Sequence, residues 1–111
     1  MNEKAVTPKR DRDHERLLGI VFGLSPAQAG VLSYLSRGTY ATSDQLLEYI
    51  GAKSNIKVVV SRTRAKVKEY GVEIKSRIRV GYWIEADERE KVQGVVNDYL
   101  KGNGGHHGTV E

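Results

Sequence analysis

The stretch from Ile56 to Tyr82, IKVVVSRTRAKVKEYGVEIKSRIRVGY, decides the fold of this chain. In its first half, apolar residues recur every three or four positions, which is the spacing of one face of an amphipathic helix. After Gly71, apolar and polar residues alternate, which is typical of a β-hairpin with one polar face. The stretch therefore predicts a helix followed by a hairpin that turns around Lys75 to Arg79.

The positive charge of the chain is concentrated in the same region. Residues 53–79 contain nine lysines and arginines but only two acids, a net charge of +7, whereas all 111 residues together carry +4. The rest of the chain is therefore net acidic. Such an asymmetry is typical of a surface that binds a polyanion, because each neutralised phosphate releases counterions. The alternative is a solvated charged helix face, which is what most charge runs are.

Two further helices are predicted by their start signals. Ser25 followed by Pro26 is typical of a helix start, and it precedes a core-facing stripe made of Ala29, Val31, Leu32, Tyr34 and Leu35. Thr42 with Gln45 three residues later fits a capping box, which opens a short helix that stops at Gly51.

The third helix is expected to run from Asn55 to about Tyr70, with Ser54 as its cap. Three helices separated by short turns, the last of them long and basic, match a helix-turn-helix core. At about 100° per residue, the core side of the third helix holds Ile56, Val59, Val60, Thr63, Val67 and Tyr70.

The opposite side of this helix has the composition of a DNA-contacting surface. It combines small residues, which let a helix approach the floor of a groove, with long cations at its margins. The hairpin adds two arginines beside it. The predicted DNA-binding residues are Lys57, Val58, Ser61, Arg62, Arg64, Ala65, Lys68, Arg77 and Arg79.

The remaining segments frame one domain over residues 14–101. Residues 1–13 are polar enough to predict a disordered arm, and residues 14–22 favour a short helix over a strand. Residues 86–101 predict a further helix capped by Asp87, which either packs on the domain's own core or pairs with a second copy of the chain. The Gly-rich residues 102–111 are predicted to form a disordered tail.

Several segments resemble the OmpR/PhoB-type winged helix-turn-helix domain. Residues 60–67, VSRTRAKV, are similar to the recognition helix of the family, approximately V-S-R-L-R-K-K-L. Residues 74–84, IKSRIRVGYWI, are similar to its wing, I-x-T-V-R-G-V-G-Y-R-L. Leu24-Ser25-Pro26 and Ser43-Asp44-Gln45-Leu46-Leu47 resemble the starts of its first two helices. The match runs from about Leu24 to Ile84, in the order of the family.

The resemblance implies an α+β fold, a winged helix-turn-helix with a three-helix core and a C-terminal β-hairpin wing, here with the helix 86–101 added. It places Ser61, Arg62 and Arg64 on the DNA-contacting helix, with Arg62 foremost. It places Arg79 in the wing turn, where the family usually has glycine, and Thr63 where the family has leucine. Because no receiver domain precedes the motif, we expect a stand-alone domain without control by phosphorylation.

Other classes of function find little support in the sequence. The chain has no cysteine, so neither disulfides nor a thiolate metal site is expected. His106 and His107 are adjacent and lack further ligands at metal-binding spacing. No nucleophile motif, paired-carboxylate signature or phosphate loop is present, so we expect neither an enzyme nor a cofactor. No membrane span or signal peptide is predicted, and we expect a cytoplasmic protein.

These patterns together predict a sequence-specific double-stranded DNA-binding transcriptional regulator. Helix 55–70 would lie in the major groove, and the hairpin residues 75–80 would lie on the backbone or in the minor groove. The expected partner is double-stranded DNA; RNA polymerase, another regulator and a second copy of the chain are left open as further partners.

Two alternatives to this function are retained. The first is a winged-helix protein–protein interaction module of a transcription or phage complex, with only non-specific affinity for DNA. The second is RNA binding, which ranks third because the basic face shows no exposed aromatic platform apart from Trp83.

Overall fold

The computed structural model describes residues 8–51 and 55–103. They form an α+β fold of five helices and one two-stranded antiparallel hairpin. Along the chain these elements are α1 (Arg12–Phe22), α2 (Pro26–Leu35), α3 (Ser43–Ile50), α4 (Ile56–Lys68), β1 (Lys75–Arg77), β2 (Gly81–Trp83) and α5 (Ala86–Asn103). The order of helices and hairpin is the one that the sequence predicts.

The predicted starts of α2 and α3 are confirmed. The Ser25 hydroxyl accepts the backbone N–H of Gln28 at 3.2 Å, and the Gln28 side chain accepts the N–H of Ser25 at 3.0 Å. Thr42 and Gln45 form the same reciprocal box at 3.1 and 2.8 Å. Both helices therefore begin where their first free amides find side-chain acceptors.

The bounds of α4 differ slightly from the prediction. Asn55, expected as the first helical residue, is the N-cap, and its side chain accepts the N–H of Lys57 at 2.9 Å. Ser54, the predicted cap, lies outside the described residues. The helix ends at Lys68 with Glu69 as C-cap, so Tyr70 follows the helix. Tyr70 is 41% exposed, although its ring packs edge-on against Phe22 with the centroids 4.8 Å apart.

Helix α2 is the centre of the hydrophobic core. Its residues 29–35 are all buried, because α1, α3 and α4 pack around it. The sequence predicts a one-sided stripe here, and burial is more complete than that. Gly30 shows how closely α3 approaches, since a Cβ at this position would lie 2.8 Å from the Ile50 side chain.

The N-terminal arm is shorter than predicted. Residues 12 and 13, which the sequence assigns to a disordered arm, form the first turn of α1, and Asp11 caps that helix by accepting the N–H of His14 at 3.0 Å. Arg10 is also held in place, because its guanidinium forms two hydrogen bonds to the buried carboxylate of Glu15, at 2.8 and 2.5 Å. Residues 1–7 of the predicted arm lie outside the described residues.

The turn of the hairpin is shorter and lies further along the chain than Lys75 to Arg79, where the alternating pattern places it. Strands β1 and β2 pair Lys75 with Trp83, Ser76 with Tyr82 and Arg77 with Gly81. Residues 78–80 are left to form the turn, closed by a 3.1 Å hydrogen bond from the Val80 N–H to the Arg77 carbonyl. Ile78, which falls on the apolar side of the alternation, is therefore at the tip and 86% exposed.

Helix α5 packs on the same domain. Val92 and Val96 are buried in the common core, and the helix contacts α1. Of the two roles left open by the sequence, packing on the domain's own core is the one that the structure has. The helix begins at Ala86, so Asp87 lies in its first turn and is not its cap. It extends to Asn103, two residues beyond the predicted end, and residues 104–111 of the predicted tail lie outside the described part of the chain.

Candidate nucleic-acid interface

The outward side of α4 is exposed along its whole length. Of the α4 residues that the sequence predicts to bind DNA, only Arg64 is partly buried. The exposed ones are Lys57, Val58, Ser61, Arg62, Ala65 and Lys68. The opposite side is anchored in the core by Val59, Val60, Thr63 and Val67, all buried. Burial of that stripe fixes the rotation of the helix about its axis, so the cationic side points away from the protein.

Thr63 shows how a polar residue fits the buried side of α4. It is fully buried, and its hydroxyl donates to the carbonyl of Val59 at 2.8 Å, one helical turn earlier. The bond satisfies a polar group that would otherwise be costly inside the core. Thr63 therefore packs as a small core residue, in the position where the resembling family has leucine.

Arg64 differs from the other predicted contact residues. It is partly buried, and its Nε donates to the carbonyl of Ile74 at 3.0 Å. Ile74 directly precedes β1, so this bond joins the middle of α4 to the base of the hairpin. Arg64 thus has a positioning role within the protein, which the sequence does not indicate.

The hairpin is attached to the helical core by a short ladder to the loop before α3. Ala41 and Tyr82 exchange two backbone hydrogen bonds, at 2.9 and 2.8 Å. The neighbouring Gly81 has a φ of 114°, and a Cβ there would collide with the Ala41 carbonyl. Glycine is thus required where the two backbones meet. The attachment fixes the hairpin relative to α3 and α4.

One surface groove, of about 390 Å³, joins α4 to the hairpin tip. It is lined by Lys57 from the first turn of α4, by Thr42 and Ser43 at the start of α3, and by residues 76–82 of the hairpin. Arg77 and Arg79, the predicted contacts of the hairpin, are both exposed and both line this groove. The structure therefore brings the two arginines next to Lys57, although twenty residues or more separate them in the sequence.

A second cleft, between the end of α4, the hairpin base and α5, has a mixed charge. It is lined by Arg64, Lys68, Lys75, Arg77 and Lys91, but also by Glu73, Glu85 and Glu88. Lys75 lies 3.6 Å from the Glu85 carboxylate, and Lys91 lies 3.2 Å from that of Glu88. The carboxylates neutralise much of the positive charge in this cleft.

Five cations of α4 and the hairpin are not paired in this way, although two of them, Lys68 and Arg77, also line this cleft. Within residues 8–51 and 55–103, no ion pair is formed by Lys57, Arg62, Lys68, Arg77 or Arg79. We call these five side chains the cationic face. Because none of the five is paired with a carboxylate of the described residues, their charge is available to an anionic ligand.

Sequence reasoning misses two features of this region. The sequence does not distinguish Lys75 from the unpaired cations, because Lys75 meets Glu85 only when the hairpin is folded next to the start of α5. The alternating pattern also assigns Ile78 to the apolar side of the hairpin, whereas this residue is exposed at the tip, between two arginines in the sequence. Both features follow from the register of the hairpin, which pairs Lys75 with Trp83 and Arg77 with Gly81.

Other kinds of site are not found in the described part of the chain. No group of three or more His, Asp or Glu side chains there could hold a metal ion. His106 and His107 lie outside the described residues. Of the described helices, none is by itself long and apolar enough to cross a membrane, and α1 with α2 would qualify only as a pair bent by 109°.

Comparison of the chain with protein-family models, with curated protein sequences and with solved structures gave no significant match.

Proposed function

We propose that this protein is a sequence-specific double-stranded DNA-binding transcriptional regulator of the winged helix-turn-helix type. In this proposal α3 and α4 form the helix-turn-helix, α4 is the recognition helix and the hairpin is the wing. The observation that carries it is the cationic face, whose cations are exposed and unpaired and in which Lys57 of α4 lines the same groove as Arg77 and Arg79 of the hairpin.

The dimensions and composition of α4 suit the major groove of DNA. Thirteen residues make a helix about 20 Å long at roughly 1.5 Å per residue, and the groove is about 12 Å wide. The exposed centre of the helix carries Ser61 and Ala65, which are small enough for the helix axis to approach the base edges. Arg62, which borders these two residues on the exposed side of the helix, is the side chain we assign to base contacts, because arginine binds guanine through two hydrogen bonds.

The remaining cations are assigned to the backbone. Lys57 and Lys68 stand near the two ends of α4, where the strands of a major groove would pass, and Arg77 and Arg79 extend from the hairpin toward a neighbouring minor groove or phosphate row. Phosphate contacts fix the register of a protein on DNA, and base contacts then read the sequence. Arg64 supports this arrangement from inside, through its bond to the Ile74 carbonyl.

One observation favours a second candidate function, a protein–protein interaction module with only non-specific DNA affinity. A largely apolar groove of about 460 Å³ lies between α1 and α2, away from the cationic face, and includes Ile20, which is 57% exposed. Arg12 and Arg16 line the same groove. A protein partner bound in this groove, for example RNA polymerase, would leave α4 free.

The two functions are separated by selection from a library of random duplexes about three helical turns long, roughly 30 base pairs. Wild type, Arg62→Ala and Arg16→Ala are compared at two salt concentrations. Arg16 is the matched control, because it is exposed, lies on α1, and its removal lowers the net charge by the same amount.

Under the proposal, wild type and Arg16→Ala enrich one common motif. Arg62→Ala should bind that motif about 1–3 kcal/mol more weakly, with relaxed preference at one base pair. Binding without an enriched motif that disappears at physiological salt, and that Arg16→Ala and Arg62→Ala weaken equally, would favour the interaction module instead.

A further inference from the structure

We propose that Ile78 is a wedge that the hairpin tip inserts between two base pairs from the minor groove, so that the protein bends the DNA it binds. This inference rests on the proposed DNA-binding function and adds a mode of recognition to it. It is carried by three properties of the tip: its exposed apolar side chain, its fixed backbone and its flanking charges.

The side chain of Ile78 is placed where nothing in the domain covers it. At 86% exposure it is the most exposed large hydrophobic residue of the described part of the chain, ahead of Ile20 at 57% and Tyr40 at 56%. A single exposed apolar residue on a flat surface would need no explanation. Ile78, in contrast, stands at the outermost point of a hairpin, where a side chain can enter a narrow space.

The backbone of the tip forms a hydrogen-bonded turn that is anchored to the helical part of the domain. Arg79 has a φ of 71°, a left-handed conformation that residues with a side chain rarely adopt. The strands behind it are closed by the Val80–Arg77 hydrogen bond and by the two bonds between Tyr82 and Ala41. A wedge must be rigid in this way, because a mobile tip would move aside when it meets stacked bases.

The charges around Ile78 define what the tip can approach. Arg77 and Arg79 flank it in the sequence, and both border the groove that leads to Lys57 on α4. Two guanidinium groups on either side of an apolar tip suit a minor groove, whose two walls are phosphate rows and whose floor is made of base edges. Known wedge residues include isoleucine, and their insertion partly unstacks a base step and kinks the duplex.

Insertion of Ile78 should give the protein a preference for a particular DNA step without any hydrogen bond to its bases. Because the hairpin is fixed to α3 and α4, the tip must fall at a constant distance from the bases that α4 reads. Pyrimidine–purine steps unstack most easily. We therefore expect such a step at one fixed position outside the motif contacted by α4.

The test uses the duplex recovered by the selection described above. Donor and acceptor dyes at its two ends report bending through energy transfer, and 2-aminopurine placed at successive positions reports unstacking at each step. Wild type is compared with Ile78→Ser and with Ile20→Ser. The second variant is the control, since it makes the same change at another exposed isoleucine, on α1.

Wild type and Ile20→Ser should shorten the distance between the dyes and raise 2-aminopurine fluorescence at a single step. Ile78→Ser should lose both signals. Its affinity for the duplex should fall less than about tenfold, because the variant loses the burial of the isoleucine side chain but also avoids the cost of unstacking the base step. Replacement of the pyrimidine–purine step by a stiff A-tract should weaken wild type but not Ile78→Ser.

The outcomes separate this inference from the proposed function. If wild type binds its motif but the duplex stays straight, or if Ile78→Ser bends and unstacks it as wild type does, the wedge is overturned and DNA recognition by α4 stands. If selection yields no motif, both are overturned, and an exposed tip that instead contacts a protein partner becomes the better account of Ile78.

Discussion

Arg79 holds a backbone conformation that glycine adopts freely and other residues rarely adopt. Its φ of 71° makes it the one residue other than glycine with a positive φ in the described part of the chain. In the family that this hairpin resembles, the same position usually holds glycine. A strained arginine at an exposed tip is consistent with a function of its side chain that outweighs the backbone cost.

The first prediction separates the backbone of Arg79 from its charge. Arg79→Gly should leave the free energy of unfolding unchanged or raise it by up to about 1 kcal/mol, because the strain is relieved while the flexibility of the unfolded chain increases. Arg79→Ala keeps the strain and should be the less stable of the two in urea denaturation. Both variants remove the charge, so both should lose DNA affinity equally in fluorescence anisotropy. If only Arg79→Ala lost affinity, the shape of the turn and not the charge of Arg79 would matter for binding.

The second prediction distinguishes two arginines that are two positions apart on α4. Arg64→Ala should lower the free energy of unfolding by about 1 kcal/mol, because it removes the bond to the Ile74 carbonyl. Arg62→Ala should change it by less than about 0.5 kcal/mol, since that side chain is exposed and unpaired. Urea denaturation of both variants checks this, and equal stability losses would contradict the separate roles.

At the scale of elements, the start of α1 is fastened to α3 by a buried ion pair. Glu15 is 5% exposed, and its carboxylate receives two hydrogen bonds from Arg10 and one, at 3.1 Å, from the hydroxyl of Tyr49. The Arg10 guanidinium also donates to the carbonyl of Tyr49 and lies over its ring, 5.1 Å from the centroid. One side chain thus connects the segment before α1, α1 itself and the end of α3.

The environment of Glu15 shifts its pKa. Burial by itself raises the pKa, but the hydrogen bonds and charge of Arg10, with the hydroxyl of Tyr49, outweigh burial and hold it below its ordinary value of 4.5. A carboxyl whose pKa is lower in the folded state stabilises the fold at a pH above its unfolded value. That stabilisation disappears as the pH falls through the folded value.

The third prediction follows from this linkage. At neutral pH, Glu15→Gln should lower the free energy of unfolding by about 2 kcal/mol or more, because it leaves Arg10 with a weaker partner in a buried site. The difference between variant and wild type should shrink as the pH falls below 4.5. Chemical denaturation at a series of pH values measures it.

The control for this prediction lies on the same helix. Asp13 is exposed, and its carboxylate forms a surface ion pair with Arg16 at 3.5 Å. Asp13→Asn should therefore change the free energy of unfolding by about 0.5 kcal/mol or less. A pH-independent difference between Glu15→Gln and wild type would contradict the role given to the charge of Glu15.

At the scale of the whole molecule, charge is sorted by face. The acids near the hairpin base pair with Lys75 and Lys91, and the cationic face is left unpaired. Helix α5 contributes to this sorting as well as to the core: its Glu88 accepts the N–H of Glu73 at 2.8 Å, and its Lys91 donates to the carbonyl of Gly71 at 3.1 Å. The helix thereby fixes the chain between α4 and β1.

The fourth prediction concerns the salt dependence of DNA binding. If four members of the cationic face contact phosphates, the logarithm of the association constant should fall with the logarithm of salt concentration with a slope of about −4. Lys68→Ala should reduce the magnitude of that slope by about 0.9. Lys91→Ala, which removes a lysine already paired with Glu88, should leave it unchanged, and equal effects of the two variants would contradict the sorting of charge by face.

Much of the fold could be predicted because it is encoded locally. Ser25 and Thr42 define their helices through partners three residues away, and the buried stripe of α4 recurs with the helical period. The exposure of most predicted contact residues followed from the same period. These signals act over one or two helical turns, so they can be read before any tertiary contact forms.

By itself the sequence determined the order of helices and hairpin, the caps of α2 and α3 and the concentration of positive charge. Only the tertiary structure decided which cations remain free, since Arg64 bonds to Ile74 and Lys75 pairs with Glu85 across the fold. It also placed Ile78 at the tip. The physical reason is range: periodicity and capping depend on neighbours along the chain, whereas ion pairing, burial and hairpin register depend on groups that folding brings together.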